Sequence, residues 1–148
     1  KEKNKIIVVD PKPKHKEFYK NATLISPNHK EAYEMAGIEE ESDANAEKIG
    51  KELLKELDSN VLITKGEKGM SLFEKDGKIT SIPTFAKEVY DIVGAGDTSV
   101  ATLTLALASG ASFEEAAIIA NHAAGITVGK IGTSTVSIEE LKKSIENG

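Results

Sequence analysis

Residues 94–97 read Gly-Ala-Gly-Asp, inside the stretch DIVGAGDTSVATLTLALASG (91–110). A turn with almost no side chains is followed by an acid, and the acid opens a long run of small and apolar residues ending at Gly110. A helix N-terminus carries free N–H groups and a partial positive charge. Glycines in front of it let the backbone come close to a ligand. Together they make an anion site suited to phosphate. A carboxylate beside a bound polyphosphate costs repulsion, and it has a use there if it takes a proton from a hydroxyl nucleophile. The stretch therefore reads as a phosphoryl-transfer site, in which backbone donors hold the transferring phosphate and Asp97 accepts the alcohol proton. The plain alternative is that Asp97 only caps a helix.

Two better-known phosphate motifs fail. The dinucleotide fingerprint needs a third glycine where Ser99 stands, and GITVGKI (125–131) is one residue short of a P-loop, with Ile131 at the Ser/Thr position. A second pair with chemical potential is Asn28 and Glu31, in SPNHKE. Residues i and i+3 on a first helical turn share a face. An amide and a carboxylate there can hold metal-bound waters, because magnesium keeps much of its hydration. Helix starts commonly carry both types, so ordinary capping stands beside that reading. His15 and His29 lack partners at metal-ligand spacing, and His122 reads as structural or exposed.

These residues need elements to position them. KIIVV (5–9) predicts a buried strand ending at Asp10, and ATLI (22–25) a second short one. SPNHKEAYEMAG (26–37) predicts a helix with Pro27 in its first turn and Gly37 at its end. Residues 42–57 form an amphipathic helix with Ile49, Leu53, Leu54 and Leu57 on one face. NVLITKG (60–66) is a strand entering a glycine turn, and 70–83 alternates around Asp76-Gly77 as a hairpin. Residues 98–109 are apolar nearly all round, which predicts a buried helix. Ser112 with Glu115, and Ser137 with Glu140, announce two more helices. Strands alternating with helices, then a hairpin, then helices, indicate a layered α/β fold with a mixed sheet.

At 148 residues the chain is one domain or part of one, large enough to bury a core. Its net charge of -5 and the lack of a basic stripe argue against nucleic-acid binding. All 19 basic residues are lysine, so no guanidinium can clamp a phosphate, and backbone N–H groups, lysine or a metal must do it. With no cysteine, thiolate chemistry and Cys-ligated zinc are excluded, which fits a reducing cytoplasm. No apolar run reaches the roughly 18 residues of a membrane span. A start without methionine, almost directly into a strand, is expected of a chain cut from something longer.

DIVGAGDTSVA resembles the C-terminal signature of the ribokinase-like (PfkB) family of carbohydrate kinases. The resemblance covers essentially the whole chain, as the C-terminal half of such a kinase, and other landmarks follow in order. It implies a ribokinase-like α/β/α fold with a mostly parallel sheet and a β-hairpin. It also implies ATP and magnesium as cofactors, with Asp97 as catalytic base and Gly94, Ala95 and Gly96 as the anion hole. Asn28 and Glu31 match the family's Asn-x-x-Glu motif, tied to magnesium and phosphate. ITKGEKG (63–69) resembles its strand-then-glycine turn beside the nucleotide, which implies contacts from Thr64, Lys65, Gly66 and Gly69; a plain strand-to-hairpin turn is the alternative. Asn121 falls where the family places a residue near the adenine. Some relatives bind a monovalent cation such as potassium, and the matching positions are the Asp91 side chain and the carbonyls of Val93, Thr127, Lys130 and Gly132.

The tail GKIGTSTVSIEEL (129–141) and the Asp10-Pro11-Lys12 run look most like the heptose-7-phosphate kinase domain of bifunctional ADP-heptose synthesis proteins. Those phosphorylate D-glycero-D-manno-heptose 7-phosphate at its C1 hydroxyl. The resemblance implies that much of the sugar pocket comes from an N-terminal half not contained here. Exposed sheet edges then invite self-association, and a fragment of this extent is expected to be a poor kinase alone. Two other readings stay open: a non-catalytic nucleotide-binding module, and a kinase for another small alcohol such as ribose, a fructose phosphate, a nucleoside or a vitamin.

Overall fold

The computed structural model describes residues 5–38, 43–86, 91–132 and 134–148. The chain forms two compact units, Lys1–Lys65 with Met70–Ser81, and Gly66–Gly69 with Ile82–Gly148.

A mixed sheet carries the first unit. Strands β1 (Val8–Val9), β2 (Leu24–Ile25), β3 (Asn60–Thr64), β4 (Met70–Phe73) and β5 (Ile79–Ile82) lie side by side in that order. β1, β2 and β3 run parallel, with Val9 opposite Ile25 and Ile25 opposite Val61; β4 runs antiparallel to β3. The α/β class and mixed sheet expected from the sequence are thus present. The hairpin closes as its Asp-Gly signal requires: the Glu74 N–H donates to the Lys78 carbonyl at 2.9 Å, and the Lys78 N–H to Asp76 Oδ1 at 2.9 Å.

The strand expected over 5–9 is shorter and less buried than its sequence suggests. Only Val8 and Val9 pair as strand, and Ile6 and Ile7 are 38% and 54% exposed. Among the described residues β1 pairs only with β2, so its outer side joins no ladder there. Ile7 closes instead on Thr23, whose Oγ1 accepts the Ile7 N–H at 2.9 Å.

Between β2 and β3 lie α1 (His29–Ala36) and α2 (Asp43–Leu57). Pro27 does not enter the first turn of α1 as expected. Asn28 takes the N-cap, and Pro27 stays outside with its carbonyl accepting the Thr64 N–H at 3.0 Å. Ser42, expected to open α2, lies outside the described residues. The apolar face of α2 is real: Ile49, Leu53 and Leu57 are fully buried among Tyr33, Met35, Val61, Ile63 and Phe73, with Leu54 at the border. Each such leucine contributes roughly 1.5–3 kcal/mol by leaving water.

The second unit holds α3 (Ala95–Ala108), α4 (Phe113–Val128) and α5 (Ile138–Glu146). Ser112–Glu115 and Ser137–Glu140 form complete capping boxes at the starts of α4 and α5. The Lys130 ammonium, 2.7 Å from Glu140, holds that carboxyl below its ordinary range, helped by the Ser137 N–H. α3 packs chiefly on α4, whose Ala116, Ala117, Ala120 and Ala123 are all fully buried and allow a close approach. The expectation that α3 is buried all round does not hold. Ser99, Leu103 and Leu107 are buried, one stripe four residues apart, while Leu105 is 70% exposed. A helix apolar on every side carries no mark of which side packs, so the sequence overstated its burial.

Candidate active site

In the second unit, Gly94 is the N-cap of α3, with φ 82° and ψ −5°. A side chain is strained in that left-handed conformation, which accounts for glycine at this position. Ala95, Gly96 and Asp97 are the first three helical residues. The Ala95 N–H is taken up by the Ile92 carbonyl at 3.3 Å; among the described residues the N–H groups of Gly96 and Asp97 have no acceptor. They lie at the positive end of a 14-residue helix. Asp97 is exposed, and no side chain makes a cap hydrogen bond at this terminus. The N-cap is Gly94, and Asp97 is the acidic residue of the first turn. An exposed carboxylate stands beside these N–H groups.

The turn is braced from behind by Asp91. Its Oδ1 accepts the Val93 N–H at 3.0 Å and its Oδ2 the Gly132 N–H at 3.1 Å, while its own N–H donates to the Val128 carbonyl at 3.2 Å. Asp91, Val93, Thr127, Lys130 and Gly132, expected around a monovalent cation, thus come from adjoining segments. The Thr127 carbonyl accepts the N–H groups of both Gly129 and Lys130.

Asn121 is buried on α4, and its Nδ2 donates to the Pro83 carbonyl at 2.6 Å, pinning the chain that leaves β5. His122 is buried beside it, stacked on Phe85 at 3.9 Å and sharing a 2.8 Å hydrogen bond with Ser144. Burial lowers the His122 pKa below its ordinary 6.5. Gly69 has a packing reason of its own: a Cβ there would run into the Ile82 carbonyl oxygen and Pro83. Gly66, by contrast, faces open space.

In the first unit the other expected residues gather at one edge. Asn28 Oδ1 accepts the Glu31 N–H at 2.9 Å, and Glu31 Oε2 accepts the Asn28 N–H at 2.9 Å. Asn28 also bridges to Thr64 at the end of β3, followed by half-buried Lys65. Asp10 and Ser26 follow the paired ends of β1 and β2. This edge is the carboxyl end of the parallel strands, where open α/β sheets bind ligands. Ser26 is 4% exposed, and among the described residues its hydroxyl has no hydrogen-bond partner.

Lys12 also belongs to this edge, although it is absent from the site residues expected from sequence. Its ammonium lies 3.2 Å from Glu31 Oε1 and 3.5 Å from Asp10 Oδ2. The hydrogen bond to Glu31, then the charge of Asp10, raises its pKa above the ordinary 10.5. The sole sequence signal was a lysine between two prolines just past a strand; its partner Glu31 is 19 positions away.

Similarity to known proteins converges with this geometry. Bifunctional protein HldE of Geobacter metallireducens is 52% identical over 136 residues, covering 91% of this chain and 28% of that protein. The structure of Thermotoga maritima ribokinase superposes with a TM-score of 0.85 at 29% identity, over 99% of this chain and 50% of that one. Arabidopsis thaliana ribokinase, solved with ribose and ATP, gives 0.83 at 26% identity over 95% of this chain and 47% of that one. The chain therefore spans less than a third of the length of the HldE protein and half of the first ribokinase. The profile of the pfkB family carbohydrate kinases matches residues 1–141, through both the Asn28–Glu31 edge and the Gly94–Asp97 turn. This chain belongs to the pfkB family of carbohydrate kinases.

Proposed function

We propose that residues 1–148 supply the C-terminal, nucleotide-binding and catalytic half of an ATP-dependent sugar kinase, and that its acceptor is the C1 hydroxyl of D-glycero-D-manno-heptose 7-phosphate. Family membership and the 52% identity to an HldE protein support the class and the acceptor. The observation that carries the chemistry is the start of α3, where exposed Asp97 stands beside N–H groups that have no acceptor among the described residues, behind a left-handed Gly94.

Asp97 accepts the proton of the sugar hydroxyl as its oxygen attacks the γ-phosphorus of ATP. The bond between that phosphorus and the β–γ bridging oxygen breaks, and ADP leaves with the electron pair. The N–H groups of Gly96 and Asp97 stabilise charge on the transferring phosphoryl oxygens, which is where a fixed donor lowers the barrier most.

Asn28 and Glu31 suit magnesium only as partners of its water. One oxygen of each is engaged in the capping box, and the second Glu31 oxygen faces Lys12. No group of three metal-ligating His, Cys, Asp or Glu exists among the described residues. Bound magnesium supplies charge neutralisation on the phosphates while retaining most of its hydration. The Asp91 side chain and the carbonyls of Val93, Thr127, Lys130 and Gly132, on segments that Asp91 ties together, would hold a potassium ion. Turnover that is unchanged on exchanging sodium for potassium would remove that part of the proposal.

The decisive variant is Asp97→Asn in the full-length protein. Phosphoryl transfer is expected to be lost while ATP affinity stays within about threefold of the parent, because an amide cannot take the proton. Parent-like turnover refutes Asp97 as the base. A panel with the heptose phosphate, ribose, fructose phosphate and nucleosides as acceptors tests the substrate.

A further inference from the structure

We propose that Lys12 is a positioning residue of the phosphate-binding edge: it locks the Glu31 carboxylate in place and offsets the negative charge of Asp10 and Glu31 where the nucleotide phosphates enter. This rests on the kinase proposal above.

The backbone of Lys12 is held far more firmly than a surface lysine needs. Prolines on both sides, buried Pro11 and half-buried Pro13, restrict the chain around it. A single hydroxyl closes both of its backbone groups: Tyr19 Oη accepts the Lys12 N–H at 2.9 Å and donates to the Lys12 carbonyl at 3.3 Å. Tyr19 is itself packed against the hydrophobic core of the first unit. The side chain is nonetheless 58% exposed, and an ion pair at such a site adds little to stability. Rigid anchoring of an exposed ammonium therefore points to placement of charge.

What it places is Glu31, whose side chain is only 16% exposed. Oε2 is held by the Asn28 N–H and Oε1 by Lys12, so neither oxygen of the carboxylate is left to wander. The Lys12 ammonium lies within 3.5 Å of both Asp10 and Glu31, so removing it takes away the cation these two carboxylates share. Two uncompensated carboxylates would repel a polyphosphate arriving at that edge. Without any arginine in the chain, a lysine must supply the compensating charge.

The test compares the full-length parent with Lys12→Gln, Lys12→Arg and Tyr19→Phe. Calorimetry gives affinity for ATP with and without magnesium, and steady-state kinetics give KM and kcat for ATP. Lys12→Gln is expected to weaken magnesium-ATP binding about tenfold and to raise KM alike, with kcat within about threefold. Lys12→Arg recovers most of the affinity, because it restores the cation. Tyr19→Phe, which keeps the charge but frees its base, falls between the two. A purely structural role would lower the melting temperature instead and leave the KM-against-kcat split untouched. Parent-like nucleotide affinity in Lys12→Gln overturns the proposal and leaves the kinase reading standing. A loss that follows melting temperature and is not rescued by arginine overturns it too. Should Lys12→Gln not fold, Tyr19→Phe and Lys12→Arg decide: parent-like KM in the first with a raised KM in the second refutes the placement. A parent that binds no ATP refutes both readings together.

Discussion

Replacing Asn28 by alanine separates helix capping from ligand binding at the same residue. In the parent, Asn28 Oδ1 accepts the Glu31 N–H at 2.9 Å, and Glu31 Oε2 accepts the Asn28 N–H at 2.9 Å. Alanine removes only the first bond, because the second uses the backbone of residue 28. One first-turn N–H then loses its protein partner at an exposed position where water can replace it. The expected cost is about 1 kcal/mol, the middle of the range for an N-cap loss. For a domain near 150 residues this lowers the melting temperature by about 2–4 °C. Asn28→Ser keeps an acceptor for the same N–H and is expected to melt within about 1 °C of the parent. Thermal unfolding followed by circular dichroism measures both, and calorimetric titration with magnesium-ATP runs beside it. If Asn28 also positions metal-bound water, both variants lose nucleotide affinity while only alanine loses stability. Alanine melting with the parent, or serine melting as low as alanine, would refute the capping account.

Further outcomes follow from packing and titration. Gly50→Ala gains about 1 kcal/mol of helix propensity but drives a Cβ into three atoms of the buried Phe73 ring, and overpacking of that kind costs about 1–3 kcal/mol. A net loss on urea unfolding is expected, and Gly50→Ala combined with Phe73→Leu should recover most of it. His122 is disfavoured as a cation in the folded state, so from the unfolded pKa of 6.5 downward the unfolded chain binds the extra proton and stability falls with pH. The fall ends below the folded pKa, where both states are protonated. Denaturation midpoints at pH 7.5 and pH 5.5 should therefore differ more in the parent than in His122→Phe.

Much of this molecule is set by interactions between near neighbours in the chain, and those parts were legible in its sequence. A capping box joins residues three apart, so Ser112–Glu115 and Ser137–Glu140 announce their helices before any tertiary contact forms. The Asp76-Gly77 turn and the Gly-Ala-Gly approach to Asp97 are local in the same sense, because backbone preference acts within a few bonds. The α2 stripe was legible because burial at helical spacing leaves a periodic trace.

Other features exist only once distant segments meet. Lys12 finds Glu31 because parallel pairing of β1 with β2 aligns their carboxyl ends, and nothing in either local sequence encodes that register. Glycine at 50 and at 69 is explained by Phe73 and by Ile82–Pro83, neighbours supplied by the fold. The reach of β1 and the packed side of α3 were decided by which neighbours are present, since apolar residues are buried only where a partner covers them. Sequence alone thus determined the caps, the turns and the glycine approach to Asp97, whereas the charged edge that Lys12 completes came from tertiary structure, because ion pairs between distant segments follow from strand register and not from local preference.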